Sequence, residues 1–461
     1  MGNTRAISIA CAAAFAAARC AAAGGAPWSA GFDAGANLRI RQEIMDNTPG
    51  LPGGGVAMPR AAGPYRNHMR FRPRFWAQAG DGETWRVYSR FTDEFRWNVR
   101  PRNHSNTFPD EMIIDNLYIE AKDLFDGVLD FRAGRQDMYN LYGLDNLFVD
   151  GTPGDGSRTV YTDMARIGLD FGEAGRFDVF ALYNKDDNQL RWGTERGRHK
   201  SLTGFGGGAE PEMDDWGWGG IYSNKAGEAL PYKIFAMQKR VLSYRRGGVK
   251  HSAKRRDLAG FRVEPRLTDE TTALLEVMGQ TGRDGEGGWF GAWSACAGLS
   301  WKDSKASSAR PFAGARIHFM SGDKDAAKED GGRHAWDPMW SRGVNYSELF
   351  LYGTHYGAAW WSNMVYAKTE GGFEFGPHHR VCASTGAMFA QTDDGLGGGD
   401  GSFKGVLSLV RYDFPILTAD KGKGERFEIF GHIYAELFNP GDYFETDKPA
   451  WFVRWQVEFA F

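Results

Sequence analysis

The chain is poor in cysteine, in histidine and in long apolar runs, and each shortage excludes something. Four cysteines occur in 461 residues. Cys11 and Cys20 lie near the N-terminus, which leaves Cys296 and Cys382 for the rest of the chain. These two read as small residues on strands, with pairing in an oxidising compartment as the alternative. There is no Cys-x-x-Cys and no His/Cys cluster, so no structural zinc is expected. His378 and His379 are adjacent and cannot aim at one metal from a strand. No Ser/His/Asp order and no paired carboxylates stand out, so no enzyme is expected. Neither charge sign dominates: 55 Lys and Arg against 58 Asp and Glu, which gives no reason to expect a nucleic-acid partner. After the first residues no apolar run is long enough for a membrane helix. The glycine-rich stretches at 204–210 and 395–401 do not join a strand to a helix, so they read as outer loops and not as phosphate cradles. No cofactor is expected.

What is present is large rings and glycine. Aromatics make up 14% of the residues, glycine contributes 62, and mean hydropathy is still −0.48. The N-terminus carries Arg5, an apolar "AISIACAAAFAAA" and small residues to Ala26, the pattern of a secretory signal peptide over 1–26. Residues 27–461 are then an exported domain.

That domain alternates with period two. "MRFRPRFWAQA" sets Met69, Phe71, Phe75 and Ala77 against Arg70, Arg72, Arg74 and Gln78, and "FVRWQVEFAF" ends the chain in the same way. Such alternation is a strand signature. Segments of about 9–11 residues or more, with rings near their ends, suit tilted strands crossing a bilayer. Eighteen are expected, near 30–43, 68–79, 84–97, 113–122, 128–137, 162–171, 175–184, 216–224, 232–242, 256–264, 270–280, 289–301, 309–320, 358–369, 379–391, 403–413, 425–437 and 449–461. The expected fold is all-β: a transmembrane antiparallel up-and-down barrel with short periplasmic turns, long outer loops and Phe461 on the periplasmic side. Parity of the count sends 345–353 to a large external loop at 321–357.

Several stretches, in this order, resemble the alginate-export family of outer-membrane barrels: "LYIEAKDLFDGVLDFRAGRQDM" (117–138), "TDMARIGLDF" (162–171), "LLEVMGQTG" (274–282), "HFMSGDKDAAKEDGG" with "WDPMW" (318–340) and "AELFNPGDYF" (435–444). The resemblance implies a location in the outer membrane of a Gram-negative-type cell. It also implies passage of an anionic polysaccharide or oligosaccharide such as alginate, outward, with periplasmic export partners.

Alternation places Arg39, Arg41, Arg70, Arg72, Arg74, Arg86, Arg90, Arg132, Arg166, Arg262 and Arg454 inward, with Glu120, Asp130, Asp170, Glu276 and Glu458. The Arg fork matches a carboxylate with two hydrogen bonds and stays charged. Two readings of the set stand side by side: an anion-attracting lining, or Arg–carboxylate struts that stiffen the wall. Arg135 breaks the alternation; it either snorkels to the outer rim or is turned inward by a bulge, and the resemblance counts it with the lumen set. The alternatives to polymer export are an anion-preferring diffusion porin for nutrient uptake and a barrel-anchored surface-binding protein. Asp323, Asp325, Asp330, Asp393 and Asp394 are candidates for outer calcium or, without an EF-hand spacing, solvated acids.

Overall fold

The computed structural model describes residues 31–47, 65–81, 83–100, 112–137, 141–148, 161–184, 191–192, 214–224, 230–246, 249–284, 288–303, 305, 308–324, 334–341, 346–349, 362–376, 378–394, 397–420, 426–445 and 447–461. The signal peptide expected at 1–26, the glycine-rich 204–210 and most of the long loops lie outside these residues.

Eighteen strands form one closed antiparallel barrel. They are β1 (Gly31–Asp46), β2 (Arg66–Gly80), β3 (Trp85–Thr92, resumed at Phe95–Arg100), β4 (Met112–Asp123), β5 (Leu129–Asp137) and β6 (Tyr161–Asp170). Next come β7 (Arg176–Asn184), β8 (Asp215–Ser223), β9 (Tyr232–Val241), β10 (Lys254–Val263), β11 (Thr271–Asp284) and β12 (Gly288–Lys302). The last are β13 (Ala309–Met320), β14 (Met364–Phe375), β15 (His379–Phe389), β16 (Phe403–Asp420), β17 (Arg426–Pro440) and β18 (Ala450–Ala460). Each pairs with its chain neighbours, and β18 closes on β1 from Asn37 opposite Ala460 to Asp46 opposite Trp451. The Phe461 amide donates to the Ala36 carbonyl at 2.9 Å. Closure leaves no strand edge unpaired, as a bilayer demands.

With an even count both ends lie at one rim, and tight turns lie there too, at 124–127, at 172–174 and about Gly376 and His378. Short turns mark the periplasmic side of outer-membrane barrels. The turn before β3 is pinned by Asp81, whose carboxylate accepts from the amides of Glu83, Thr84 and Trp85. These bonds hold its carboxyl below the ordinary aspartate range. His378 sits in one such turn. His379 starts β15, where its ring packs against Phe375 and Tyr412.

Two strands differ from expectation. The fourteenth starts and ends six residues later than the expected 358–369. The Gly371–Gly372 pair, which reads as a break, lies inside the ladder opposite Ala383 and Cys382. The sixteenth runs on past Pro415, with the register slipping between Pro415 and Leu417, because proline offers no ladder donor. The same chemistry divides β3: Pro73 sits opposite the break at Asp93–Glu94. Cys296 and Cys382 are free thiols on β12 and β15. Three strand spacings separate those strands, about 14 Å, well beyond disulfide reach.

The expected external loop at 321–357 is the main correction. Among its described residues, 334–341 and 346–349 are turned inward and largely buried, with Trp336 and Trp340 each 1% exposed and Leu349 0%. Segment 346–349 is not a strand, in agreement with the parity argument, but neither is it outside the barrel. Segment 141–148 turns inward in the same way.

Candidate functional site

The inward side chains fall into groups that differ in how far solvent reaches them. Arg39, Arg41, Arg70 and Arg454 are almost completely buried. Register sets Arg41 opposite Arg70 and Arg39 opposite Arg72, like charges that repel unless acids intervene. Acids do. Glu43 takes Arg41 at 2.7 Å, His68 at 2.9 Å and Arg70 at 3.4 Å. Glu94, inward by the same alternation because the register continues unchanged across the break in β3, pairs with Arg39 at 3.4 Å and with Arg70. Glu348 of the inward segment meets Arg454 at 2.5 Å, and Arg72 lies 3.9 Å from Glu458. Burial and pairing make this set struts of the wall.

A second set on β2 to β6 stays partly open to solvent: Arg74, Arg86, Arg90, Arg132 and Arg166. Arg90 is well neutralised, at 2.9 Å from Asp115 and 2.8 Å from Asp137. Three others are under-neutralised. Glu120 alone serves Arg86 at 2.6 Å, Arg132 and, at 3.8 Å, Lys122. Arg132 stands opposite Arg166. Arg166 shows no ion pair among the described residues; its guanidinium lies 5.6 Å from the Tyr142 ring centroid. Three of these cations, Arg86, Arg132 and Arg166, are therefore an accessible positive surface on one wall.

A third group anchors segment 141–148. Asp145 meets Arg262 at 2.6 Å and Arg316 at 2.5 Å. Glu276 accepts from the amides of Asp145 and Asn146 and pairs with Arg262 at 2.9 Å. Burial alone would push the Asp145 carboxyl up, but Arg316 and then Arg262 outweigh it and hold it below the ordinary aspartate range. The Tyr142 hydroxyl is pushed up to about 12, by burial first.

Three residues expected in the lining do other work. Asp130 accepts from the Asp123 amide at 3.1 Å and pairs with Arg176 at 2.7 Å at the inner rim. Asp170 accepts from the Gly172 amide at 2.8 Å and shapes the turn there. Arg135 is a correction: three residues from Arg132, it lies on the opposite face of β5. The register around it is regular, with no bulge to turn it inward. It pairs with Asp163 at 2.9 Å and lies 4.4 Å from the Tyr161 ring centroid, near the outer rim.

Alternation did not reveal the inward segments or the apolar interior that receives them. From mid-wall to the outer rim the inward positions carry Met45, Met164, Met237, Met278, Met320, Met364 and Met388, all buried. Methionine is an adaptable filler. Phe148 stacks on Trp340 at 5.7 Å, and Phe180 meets both edge-on. Gly217 makes room: a Cβ there would lie 2.2 Å from the Trp340 ring. Segment 334–341 is further tied by Asp337 to Arg256 at 3.1 Å. Burial opposes the charge of Asp337, but Arg256 and Lys239 lower its carboxyl below the usual range. The sequence did carry a signal in its inward-parity methionines and in Gly217 between two tryptophans.

Asp145, Cys296 and His318 offer donor atoms within 4.8 Å of one another. Two guanidinium groups already occupy Asp145, and their charge opposes a cation. Of the acidic loop residues, Asp323 accepts from the His334 amide, and Asp394 from Asn363 and Tyr443. Asp325 and Asp330 lie outside the described residues.

No family model matches the chain, and no curated protein matches it. Solved structures do. OccK5 (OpdH) of Pseudomonas aeruginosa matches with a TM-score of 0.52 at 10% identity, over 93% of this chain and 98% of that one. OccAB1 of Acinetobacter baumannii matches with a TM-score of 0.50 at 10% identity, over 93% and 97%. At this identity the likeness is one of fold, and the chain is thus similar, along nearly its whole length, to outer-membrane β-barrel porins.

Proposed function

We propose that the protein is a passive outer-membrane channel preferring small carboxylate-bearing solutes, sugar acids and short oligouronates included. The observation that carries this reading is the under-neutralised wall of Arg86, Arg132 and Arg166, where Glu120 is shared by two arginines and Lys122. An accessible guanidinium presents a planar fork to a carboxylate, while partial solvation keeps the contact weak enough to release it. A barrel of eighteen strands is wide enough for an aqueous passage, and the inward segments narrow it to one side. Direction follows the gradient, since no energy source is part of a barrel. Export of an intact polyuronate, implied by the resemblance to alginate exporters, requires the inward segments to move aside.

Reversal potentials in a planar bilayer test the proposal. The wild type is expected to prefer anions, and replacing Arg86 and Arg132 with Gln to reduce that preference. A cation-preferring wild type would sink the proposal. Glucuronate permeating at the rate of chloride-sized anions, with a long polyuronate excluded, supports the small-solute reading. Passage of the polymer supports export.

A further inference from the structure

The outward face of the barrel carries a row of basic and aromatic residues. Adjacent strands β7 to β12 are in register at the outer rim as Tyr183, Trp216, Arg240, Arg255, Arg283 and Trp289, each directly opposite the next. Their parity is that of Ile234, Phe261 and Leu275, the exposed apolar residues of the same strands, so the row faces the bilayer side. All three arginines are exposed.

Three like charges placed directly opposite on neighbouring strands repel one another. Among the described residues two carboxylates touch the row: Asp257 lies 2.7 Å from Arg255, and Asp214 accepts from the Tyr183 hydroxyl at 2.9 Å. Arg240 lies 5.2 Å from the Trp216 ring centroid, and Arg283 has no acidic partner among the described residues. Among the described residues Asp257 is the one acid paired with the three arginines, which leaves the arc net positive. Depth gives the row its meaning. Two positions further in, the same strands carry Trp218, Gln238, Asp257 and Thr281; four further in, Ala236, Ala259 and Trp293. The face passes from charged to mixed to apolar, as it would across a headgroup layer into hydrocarbon. Elsewhere at this rim the outward face carries Phe319, Phe389 and Trp451, so the basic arc is local.

We propose that this arc binds an outer-leaflet glycolipid through phosphomonoesters on its sugar headgroup. Arginine suits phosphate because two of its N–H groups meet two oxygens in parallel. The three Cα atoms span about 10 Å, two strand spacings, so a single headgroup can touch all three. Trp216 and Trp289 flank the arc at the level where amphipathic rings settle, and the bound phosphate relieves the repulsion within it.

The test uses the full barrel in neutral detergent micelles and the temperature at which its heat-resistant gel band unfolds. The probes are diphosphorylated lipid A, the same lipid stripped of phosphate, and inorganic phosphate at equal concentration. Only the diphosphorylated lipid is expected to raise the unfolding temperature. Replacing Arg240, Arg255 and Arg283 together with Gln should abolish the rise, and replacing them with Lys should keep part of it. Should the triple variant fail to assemble, Arg283→Gln alone is expected to weaken apparent affinity about tenfold or more, the loss of one charge-assisted contact. An equal rise with the stripped lipid, with inorganic phosphate or in the Gln variants overturns the proposal.

Discussion

Asp145→Asn tests whether segment 141–148 is latched by charge. In the native chain one carboxylate bridges Arg262 at 2.6 Å and Arg316 at 2.5 Å. Removing one partner of a buried pair costs about 3–5 kcal/mol. Two facts reduce that here. Arg316 is 34% exposed, so water compensates part of its loss, and Arg262 retains Glu276 and Glu264. Asparagine also keeps one oxygen acceptor. About 2 kcal/mol remains, which shifts the balance between seated and released segment roughly 30-fold. Single-channel recording reads this directly: the variant should spend a correspondingly larger share of time in a higher-conductance state. Acid should mimic the substitution. The Asp145 pKa is depressed in the folded protein, so its stabilisation is present above the ordinary aspartate value of about 3.8 and is lost as pH falls through the lower folded value. The wild type should therefore open only in strong acid, and the variant should lack that step. An assembled variant with unchanged conductance and unchanged dwell times would refute the latch.

Further substitutions probe the other contacts. Glu348→Gln removes the charge opposite Arg454, both fully buried, and should lower barrel stability by about 3–5 kcal/mol, read as a drop in the urea midpoint of unfolding. Gly217→Val places a side chain where the Trp340 ring lies 2.2 Å from the Cβ position. Overpacking of this kind costs about 1–3 kcal/mol; tryptophan emission should shift to the red as the segment is expelled, and an unchanged spectrum would count against the packing described. Gly134 has φ of +123° and a Cβ there would meet the Leu117 carbonyl oxygen at 2.2 Å. Gly134→Ala should cost about 1–3 kcal/mol and reduce the yield of assembled barrel on gels, without changing ion preference.

The wall of the barrel was legible and its contents were not, for a physical reason. Alternation records which of two faces a side chain takes, and a bilayer enforces that choice at nearly every wall position. Hence Val453, Trp455 and Val457 point outward while Arg454 and Gln456 point inward, and Arg135 was recognisable as an exception before its partner Asp163 was known. Face alone does not say what covers it. Arg41 and Arg132 share the inward face, yet one is buried in a network with Glu43 and the other is 26% exposed beside a shared Glu120. The acids that decide this come from the same strand, as Glu43 does for Arg41, from the next strand, as Glu120 does for Arg132, or from an inward segment, as Glu348 does for Arg454.

Those segments have no period to read. Their contacts are made far along the chain, Asp145 with Arg316 and Glu348 with Arg454. Each is specified by one side chain meeting a wall built mostly from distant sequence. The readable trace lies instead on the receiving side. Polar residues are the expected fill of an aqueous lumen, so Met278, Met320, Met364 and Met388 at inward parity have no use unless something apolar is seated against them, and Gly217 at inward parity has no use unless a ring needs its space. Inward methionine and glycine in a barrel strand thus argue for an inward segment from the wall sequence alone. The same logic separates the two sets of arginines: those surrounded by acids and covered by a segment hold the wall, while Arg86, Arg132 and Arg166 are short of acids and uncovered enough to meet solvent, and the proposed anion preference rests on them.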